Sequence, residues 1–299
     1  MTRNKAFSGG DLFFNIINYS VFGIWTLLCI LPFYYLFINT ISDNELVKRG
    51  LVRLIPRGFH LSNYIQVLKL RGLGNAAFIS ISRTVLGTAL SVLASSWTGY
   101  LVTKQKMWGR KFWYRYIIIT MYFSAGLVPW YMNMIMLRLT DNFLAYILPG
   151  IMAPFYIILA KTYIESIPPS LEESAAIDGA GVITVFRKIV FPLLKPILAT
   201  IAIFTAVGHW NSFMDTLFLM TNERLFTLQF VLWRYLNEAN YLASIMRSST
   251  AFVADASEVL TPRTIQMTIS MVVVFPILLT YPLLQRYFVK GIMVGAIKG

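Results

Sequence analysis

Charge is what this sequence has least of. Only 13% of its 299 residues are Asp, Glu, Lys or Arg, against 57% hydrophobic ones, and the mean hydropathy is +0.64. A soluble domain of this length needs far more polar surface, so that class is excluded. Cysteine occurs once, as Cys29 inside an apolar block, which excludes an internal disulfide and a multi-cysteine metal site. The two histidines, His60 and His209, belong to different regions, and no metal site is expected. No G-x-x-x-x-G-K-[ST] occurs, so nothing here cradles nucleotide phosphates in the usual way. No Ser/His/Asp set or carboxylate pair stands in a context that would support catalysis. Arg3 and Lys5 precede no short apolar core with a small-residue cleavage site, so the first apolar block reads as a retained helix.

What is abundant is apolar sequence in blocks near the roughly 20 residues that span a hydrocarbon core. Six spans are expected, at about 16–41, 78–102, 112–137, 143–163, 193–220 and 265–288. In lipid they should be helices, since each backbone donor and acceptor must be satisfied within the segment. Pro32, Pro129, Pro154 and Pro276 are expected to kink spans. No repeat, low-complexity tract or linker interrupts the chain, so residues 1–299 read as a single all-α transmembrane domain. The net charge of +13 does not point to nucleic acid, because no basic stripe interleaved with aromatics occurs in a soluble-looking segment. Lys and Arg instead flank the spans, where membrane lipid headgroups favour them.

The link after the second span carries Lys104, Lys106, Arg110, Lys111 and Arg115, whereas the link after the third carries Arg138. The positive-inside rule places residues 103–111 in the cytoplasm, with both termini there too and Arg286, Lys290 and Lys298 at the inner end. One observation pulls the other way: the loop 42–77, external in this arrangement, carries Lys48, Arg49, Arg53, Arg57, Lys69 and Arg71. Residues 221–264 form a long external segment with an apolar stretch at Leu225–Leu236, and 161–192 form the main internal loop.

That internal loop reads as a short helix with both ends marked. Pro168 and Pro169 end the preceding element, and Ser170 with Glu173 matches an S-x-x-E capping box. Leu171, Ala175 and Ile177 supply apolar contacts, and Gly179 suits a left-handed helix end. A second short helix, Val182–Val190, is expected to stop at Pro192. By itself this helix–turn–helix fits either a docking knob or an amphipathic linker lying on the membrane.

Glu173-Ser-Ala, three residues, Gly179, nine residues and Ile189-Val-Phe-Pro192 resemble the E-A-A-x3-G-x9-I-x-L-P signature of ATP-binding-cassette (ABC) importer permeases. Ser174 and Phe191 are mild departures, and Asp178-Gly179-Ala180, Phe186 and Pro196 extend the match to the version seen in carbohydrate importers. Phe123–Trp130, Asp141-Asn-Phe, Leu148-Pro-Gly150, Gly208–Phe213 and the ending Tyr281–Gly299 look like segments of maltose-type sugar permeases. Leu54-Ile-Pro-Arg-Gly-Phe and Tyr64 resemble the external loop of the oligosaccharide branch. The resemblance implies a six-helix permease fold in a bacterial cytoplasmic membrane. It implies a homologous permease, two ATPase subunits that bind ATP and Mg, and an extracytoplasmic sugar-binding protein as partners, with no cofactor in this chain. It also implies a coupling helix at Leu171–Ala180, with Leu171, Glu172, Glu173, Ala175, Ala176, Asp178, Gly179 and Ala180 meeting the ATPase and Glu173 facing a basic residue.

His209, Asn211 and Asp215 lie in or near the fifth span. Ionisable groups at membrane depth tend to line a pathway or find a partner, and Asp and Asn suit sugar hydroxyls. The other reading leaves Asp215 at the outer interface and His209 packed between helices. Arg83 and Arg115 are expected to snorkel toward headgroups. The aromatic residues read mainly as interfacial belts. A permease for peptides or other solutes, and a stand-alone secondary transporter, remain alternatives.

Overall fold

A computed structural model describes residues 9–237 and 262–291, with side chains at 12–237 and 264–279. Lys298 and most of the external segment, 238–261, lie outside the described residues, as do residues 1–8. Among the described residues the chain is helical, with no strand. The helices are α1 (Gly9–Thr40), α2 (Asn44–Lys48), α3 (Ser62–Leu68), α4 (Leu73–Thr103), α5 (Arg110–Tyr122) and α6 (Leu127–Met136). After two 3-10 turns, Phe143–Tyr146 and Leu148–Gly150, come α7 (Pro154–Ile164), α8 (Ser170–Ile177) and α9 (Val182–Leu193). The last are α10 (Lys195–Asn211), α11 (Met214–Leu219), α12 (228–237) and α13 (Pro262–Gly291).

Among the described residues, two helices are by themselves long and apolar enough to cross a membrane, at Leu12–Thr40 and Leu73–Thr103. Two bent pairs raise the number to four: Phe143–Gly150 with Pro154–Ile164, at 45°, and α9 with α10, at 78°. The expected span 112–137 is not one helix. It breaks between Tyr122 and Leu127, where Gly126 takes φ +86, open to glycine because it lacks a Cβ. The expected span 193–220 likewise breaks at Ser212 and Phe213. Prolines mark these changes differently from the expectation. Pro154 opens α7 and Pro129 sits in the first turn of α6, where a missing N–H costs little, while α1 runs on through Pro32.

The chain divides into two compact units, Met1–Lys69 with Tyr235–Val272, and Leu70–Arg234 with Val273–Gly299. In the first, α1 exposes nearly every large apolar side chain from Leu12 to Phe37, as a helix surrounded by lipid or another helix would. Its end is covered by the basic loop, which folds back rather than hanging free. Ile38, Val47 and Val52 form a small core. Asp43 caps α2 through Glu45 N and Leu46 N, Arg57 O accepts from Asp43 N at 2.9 Å, and Asn63 donates to Thr40 O at 3.0 Å. Gly58 takes φ +65, and a Cβ there would press on Asp43.

The second unit is organised around α4, packed along α7 and α10. Gly99 permits the close approach to α7: a Cβ there would stand 3.0 Å from both Ala160 Cβ and Lys161 N. One core cluster gathers Tyr100, Ala160, Ile164, Phe186, Val190, Leu194 and Ile201 at one end of α4. A second gathers Ile79, Met134, Tyr146, Ile147 and Leu219 at the other.

Candidate functional site

The EAA-like loop folds into a knob, α8 followed by α9. Helix α8 begins without the expected capping box. Ser170 is already its first helical residue, and the N-cap is Pro169, which has no side-chain acceptor. The orphan N–H groups of Glu172 and Glu173 are taken by the Pro169 carbonyl, both at 3.0 Å. The other end is as expected. Ala180 N donates to Ala175 O at 2.9 Å and Gly179 N to Ala176 O at 3.1 Å, the paired bonds of a Schellman motif, with Gly179 at φ +78.

Helix α9 corrects a second expectation, because Pro192 does not stop it. Residues Phe186–Val190 take π-helical form, with Phe191 N donating to Phe186 O, and the chain continues through Pro192 to Leu193 before bending into α10. The wider π turn accommodates the proline that an unbroken α-helix would resist.

Three contacts root this knob in α4. Phe186 packs edge-on against Trp97, ring centroids 4.9 Å apart, and beside Tyr100 at 5.2 Å. Tyr100 Oη reaches Val182 O at 3.5 Å. Glu172 forms an ion pair with Lys104, whose Nζ also lies 4.0 Å from the centre of the Tyr100 ring. Lys104 served only as a topological marker in the sequence, and no local signal joins it to Glu172, 68 residues away. Two apolar side chains of the knob are exposed, Leu171 at 42% and Ile177 at 87%, interleaved with exposed Glu173, Ser174 and Asp178. Ala175 and Ala180 pack inward, while Ala176, Asp178 and Gly179 are exposed.

Among the carboxylates whose side chains are described, most are committed within the chain. Glu45 meets Lys48 and Arg49, Glu165 meets Lys161, Glu172 meets Lys104, Asp215 meets Arg83, and Glu223 lies 4.0 Å from Arg234. Asp43 caps α2. Asp141 accepts from the Thr221 hydroxyl and from the N–H groups of Asn222 and Thr221, which hold its carboxyl below the usual aspartate range. Glu173 and Asp178, both exposed and both on the knob, have no such tie.

Near the other end of α4 lies a cavity of about 260 Å³, lined by Arg83, Trp130, Tyr146, Tyr156, His209 and Asp215 among others. Arg83 does not snorkel. Its side chain is 3% exposed and forks onto Asp215, with Nη1 donating to Asp215 Oδ1 at 3.1 Å and to Ser212 O at 3.1 Å, and Nη2 donating to Oδ2. Tyr146 lies beneath the guanidinium at 4.6 Å and donates to Leu225 O at 2.6 Å. A buried arginine without a counter-ion would be expensive, and Asp215, in the first turn of α11 beside the break at Ser212, supplies one. His209 packs over Gly87, where an added Cβ would collide with its ring. Of the three polar candidates, the structure brings His209 and Asp215 to the cavity, while Asn211 is exposed and not among its lining. Arg83 and Tyr146 join the cavity unannounced. A lone arginine in an apolar helix was the only available signal. No group of three or more metal-ligating side chains occurs among the described residues.

Comparison with known proteins adds four findings. A family described as "binding-protein-dependent transport system inner membrane component" matches residues 87–294. The polygalacturonan/rhamnogalacturonan transport system permease protein YtcP of Bacillus subtilis is 32% identical over 291 residues, 96% of this chain and 98% of that one. The LplC protein of the same organism is 34% identical over 96% of this chain and 95% of its own. Among solved structures, a chain of a bacterial ABC transporter involved in import of the acidic polysaccharide alginate superposes with a TM-score of 0.83. It is 30% identical, and the match covers 95% of this chain and all of that one.

Proposed function

Because this chain belongs to the family of inner-membrane components of binding-protein-dependent transport systems, we propose that it is the permease subunit of an ABC importer for a carbohydrate. The cargo class follows the relatives, whose names specify polygalacturonan, rhamnogalacturonan and alginate. The observation that carries the mechanism is the knob α8–α9. It is closed by a glycine in the left-handed conformation, exposes Leu171 and Ile177, and carries two carboxylates, Glu173 and Asp178, with no partner among the described residues.

In this reading Leu171–Ala180 is the coupling helix. Leu171 and Ile177 enter a cleft of the ATPase, and Glu173 and Asp178 meet its cations. Two copies of the ATPase bind ATP and Mg and supply the energy. A homologous permease completes the membrane part, and a sugar-binding protein delivers cargo from outside. In this reading the chain crosses six times, with both termini, α8 and Lys104 in the cytoplasm and the segment 221–264 outside. ATPase closure rocks the permeases between inward- and outward-facing states. His209 and Asp215 border the sugar path, with Asn211 on the adjoining exposed surface.

Co-purification and uptake test this together. A tagged permease should retain ATPase subunits, and vesicles holding the complex and its binding protein should accumulate saccharide with ATP. A tagged permease that brings down no ATPase and transports alone would replace this reading with a secondary transporter. Stimulation by peptides and not by saccharides would keep the class and change the cargo.

A further inference from the structure

Helix α4 carries two ion pairs, one about a third of the way along it and one at its C-terminal end. Arg83 is fixed to Asp215 at the cavity, and Lys104, the C-cap residue, is fixed to Glu172 in the first turn of α8. Twenty-one residues separate the two cations, about 32 Å at 1.5 Å per residue, which is close to the thickness of a hydrocarbon core. No break interrupts α4 between Leu73 and Thr103, whereas the chain on the α10 side bends by 78° at Leu194 and breaks at Ser212. A continuous helix transmits a displacement along its axis; a bent one absorbs part of it.

The contacts at the knob have the character of an attachment. Lys104 and Glu172 are each about three-quarters buried, at 24% and 25% side-chain exposure, so solvent screens their attraction only partly. The ammonium also lies over Tyr100, which in turn reaches Val182 of α9. Phe186 fills the space between Trp97 and Tyr100. Helix α8 therefore meets α4 through a charge, and α9 meets it through a buried aromatic. Along α4 the Gly99 approach binds it to α7, and the Gly87 approach brings it against His209 at the cavity.

We propose that α4 is the transmission element of this permease, with Lys104 as the positioning residue that couples α8 to it through Glu172 and Arg83 as the residue that delivers the movement to the cavity. The proposal rests on α8 being the coupling helix. It separates the two neighbouring glutamates: Glu173 faces the ATPase, and Glu172 works inside the subunit. Removing the Lys104–Glu172 pair should leave ATPase docking intact and uncouple it from the cavity.

The test uses the full complex, with Thr205→Cys in a Cys29→Ala background as a reporter at the cavity wall. Its labelling rate by a water-soluble maleimide is compared between the nucleotide-free state and the state trapped with ATP and vanadate. With Lys104 and Glu172 intact, trapping should change the rate. In Lys104→Glu, ATPase retention and ATP turnover should persist, and in Lys104→Glu and Glu172→Lys alike the trapping response should fall about three- to tenfold, the size of changes along coupling routes. The exchanged pair, Lys104→Glu with Glu172→Lys, should recover most of the response. Milder variants, Lys104→Met and Glu172→Gln, should show the same loss if the reversed charges impair membrane insertion. A full response in the single variants, or no recovery in the exchanged pair, overturns the proposal. Loss of the ATPase from Lys104→Glu also overturns it, assigning the pair to the docking surface and leaving the coupling helix in place. If the coupling helix itself is wrongly assigned, Gly179→Val leaves uptake unchanged, which separates that failure from a failure of the Lys104–Glu172 pair alone.

Discussion

Replacing Gly179 isolates backbone conformation from packing. Its φ is +78, and a Cβ built there meets no heavy atom within 4 Å. A substitution therefore creates no clash, and its whole cost is that of holding an L-residue in the left-handed region, roughly 1–2 kcal/mol for an ordinary side chain. Asn tolerates that region better, and a β-branched residue tolerates it worse. The Schellman bonds from Gly179 N and Ala180 N form only with this φ, so the strain falls on the turn that aims α9 away from α8. About 2 kcal/mol corresponds to roughly a thirtyfold shift between the native turn and alternatives. Uptake should rank Gly179, then Asn, then Ala, then Val, with Gly179→Val lowest and membrane insertion equal in all four. Uptake and retained ATPase, measured on the same tagged preparations, provide the check. Wild-type uptake by Gly179→Val would refute the argument that the turn must hold its shape. Equal losses for Asn and Val would show that side-chain bulk, not φ, decides.

Three other outcomes follow from the second unit. Asp215→Asn leaves the buried Arg83 without a counter-ion and should destabilise the detergent-solubilised protein by about 3–5 kcal/mol, seen as a lowered thermal midpoint, while Arg83→Met with Asp215→Leu recovers part of it. Gly87→Ala should displace the His209 ring and reduce transport without loss of ATPase, and an unchanged rate would remove His209 from the sugar path. Asp141 has its folded-state pKa depressed by the Thr221 hydroxyl and the Asn222 and Thr221 N–H groups. Its contribution is full above the ordinary aspartate pKa near 3.8 and fades as pH falls through the lower folded value. Proteolysis of the 219–222 turn should therefore rise in the parent as pH falls below about 3.8, whereas Asp141→Asn should be cleaved faster already at neutral pH and change little over that window.

Sequence legibility followed the range of the interactions involved. The Gly179 turn was readable because a helix end is written in a few consecutive residues. The capping box failed at the other end because Pro169 and Ser170 each suit a helix start, and the structure begins the helix one residue earlier than the hydroxyl needed. Hydropathy located apolar blocks but not their breaks: Gly126 and Ser212 interrupt helices that a window average treats as continuous. Arg83 was misplaced because snorkelling is the general solution for one arginine, whereas Asp215, 132 residues away, supplies a specific one. The basic loop 42–69 troubled the charge rule because counting treats it as a simple link. It is a folded cap, with Lys48 and Arg49 set against Glu45.

The distribution of carboxylates leads to the last prediction. In an apolar chain each charge needs a reason, and the described carboxylates have one in a lysine, an arginine, a helix end or, for Asp141, the Thr221–Asn222 turn, with Glu173 and Asp178 as the exceptions. Both lie on the knob, beside Leu171 and Ile177, whose apolar side chains are also exposed among the described residues. Exposed carboxylates around an apolar patch form the rim-and-core pattern of a docking surface. Glu173 is exposed and takes no part in the Lys104 tie that holds its neighbour, so reversing its charge should leave the subunit's own packing untouched. At a desolvated interface, losing one member of a charge pair costs about 2–5 kcal/mol. Glu173→Lys should therefore insert normally, keep the thermal midpoint of the isolated subunit, and lose ATPase on purification. Raised salt should weaken the parent complex in the same direction. Compensation by a reversed charge on the ATPase would identify the partner cation. Full ATPase retention and uptake by Glu173→Lys, alone and combined with Asp178→Lys, would show that these carboxylates are solvated ornaments of the loop and that the apolar patch docks without them.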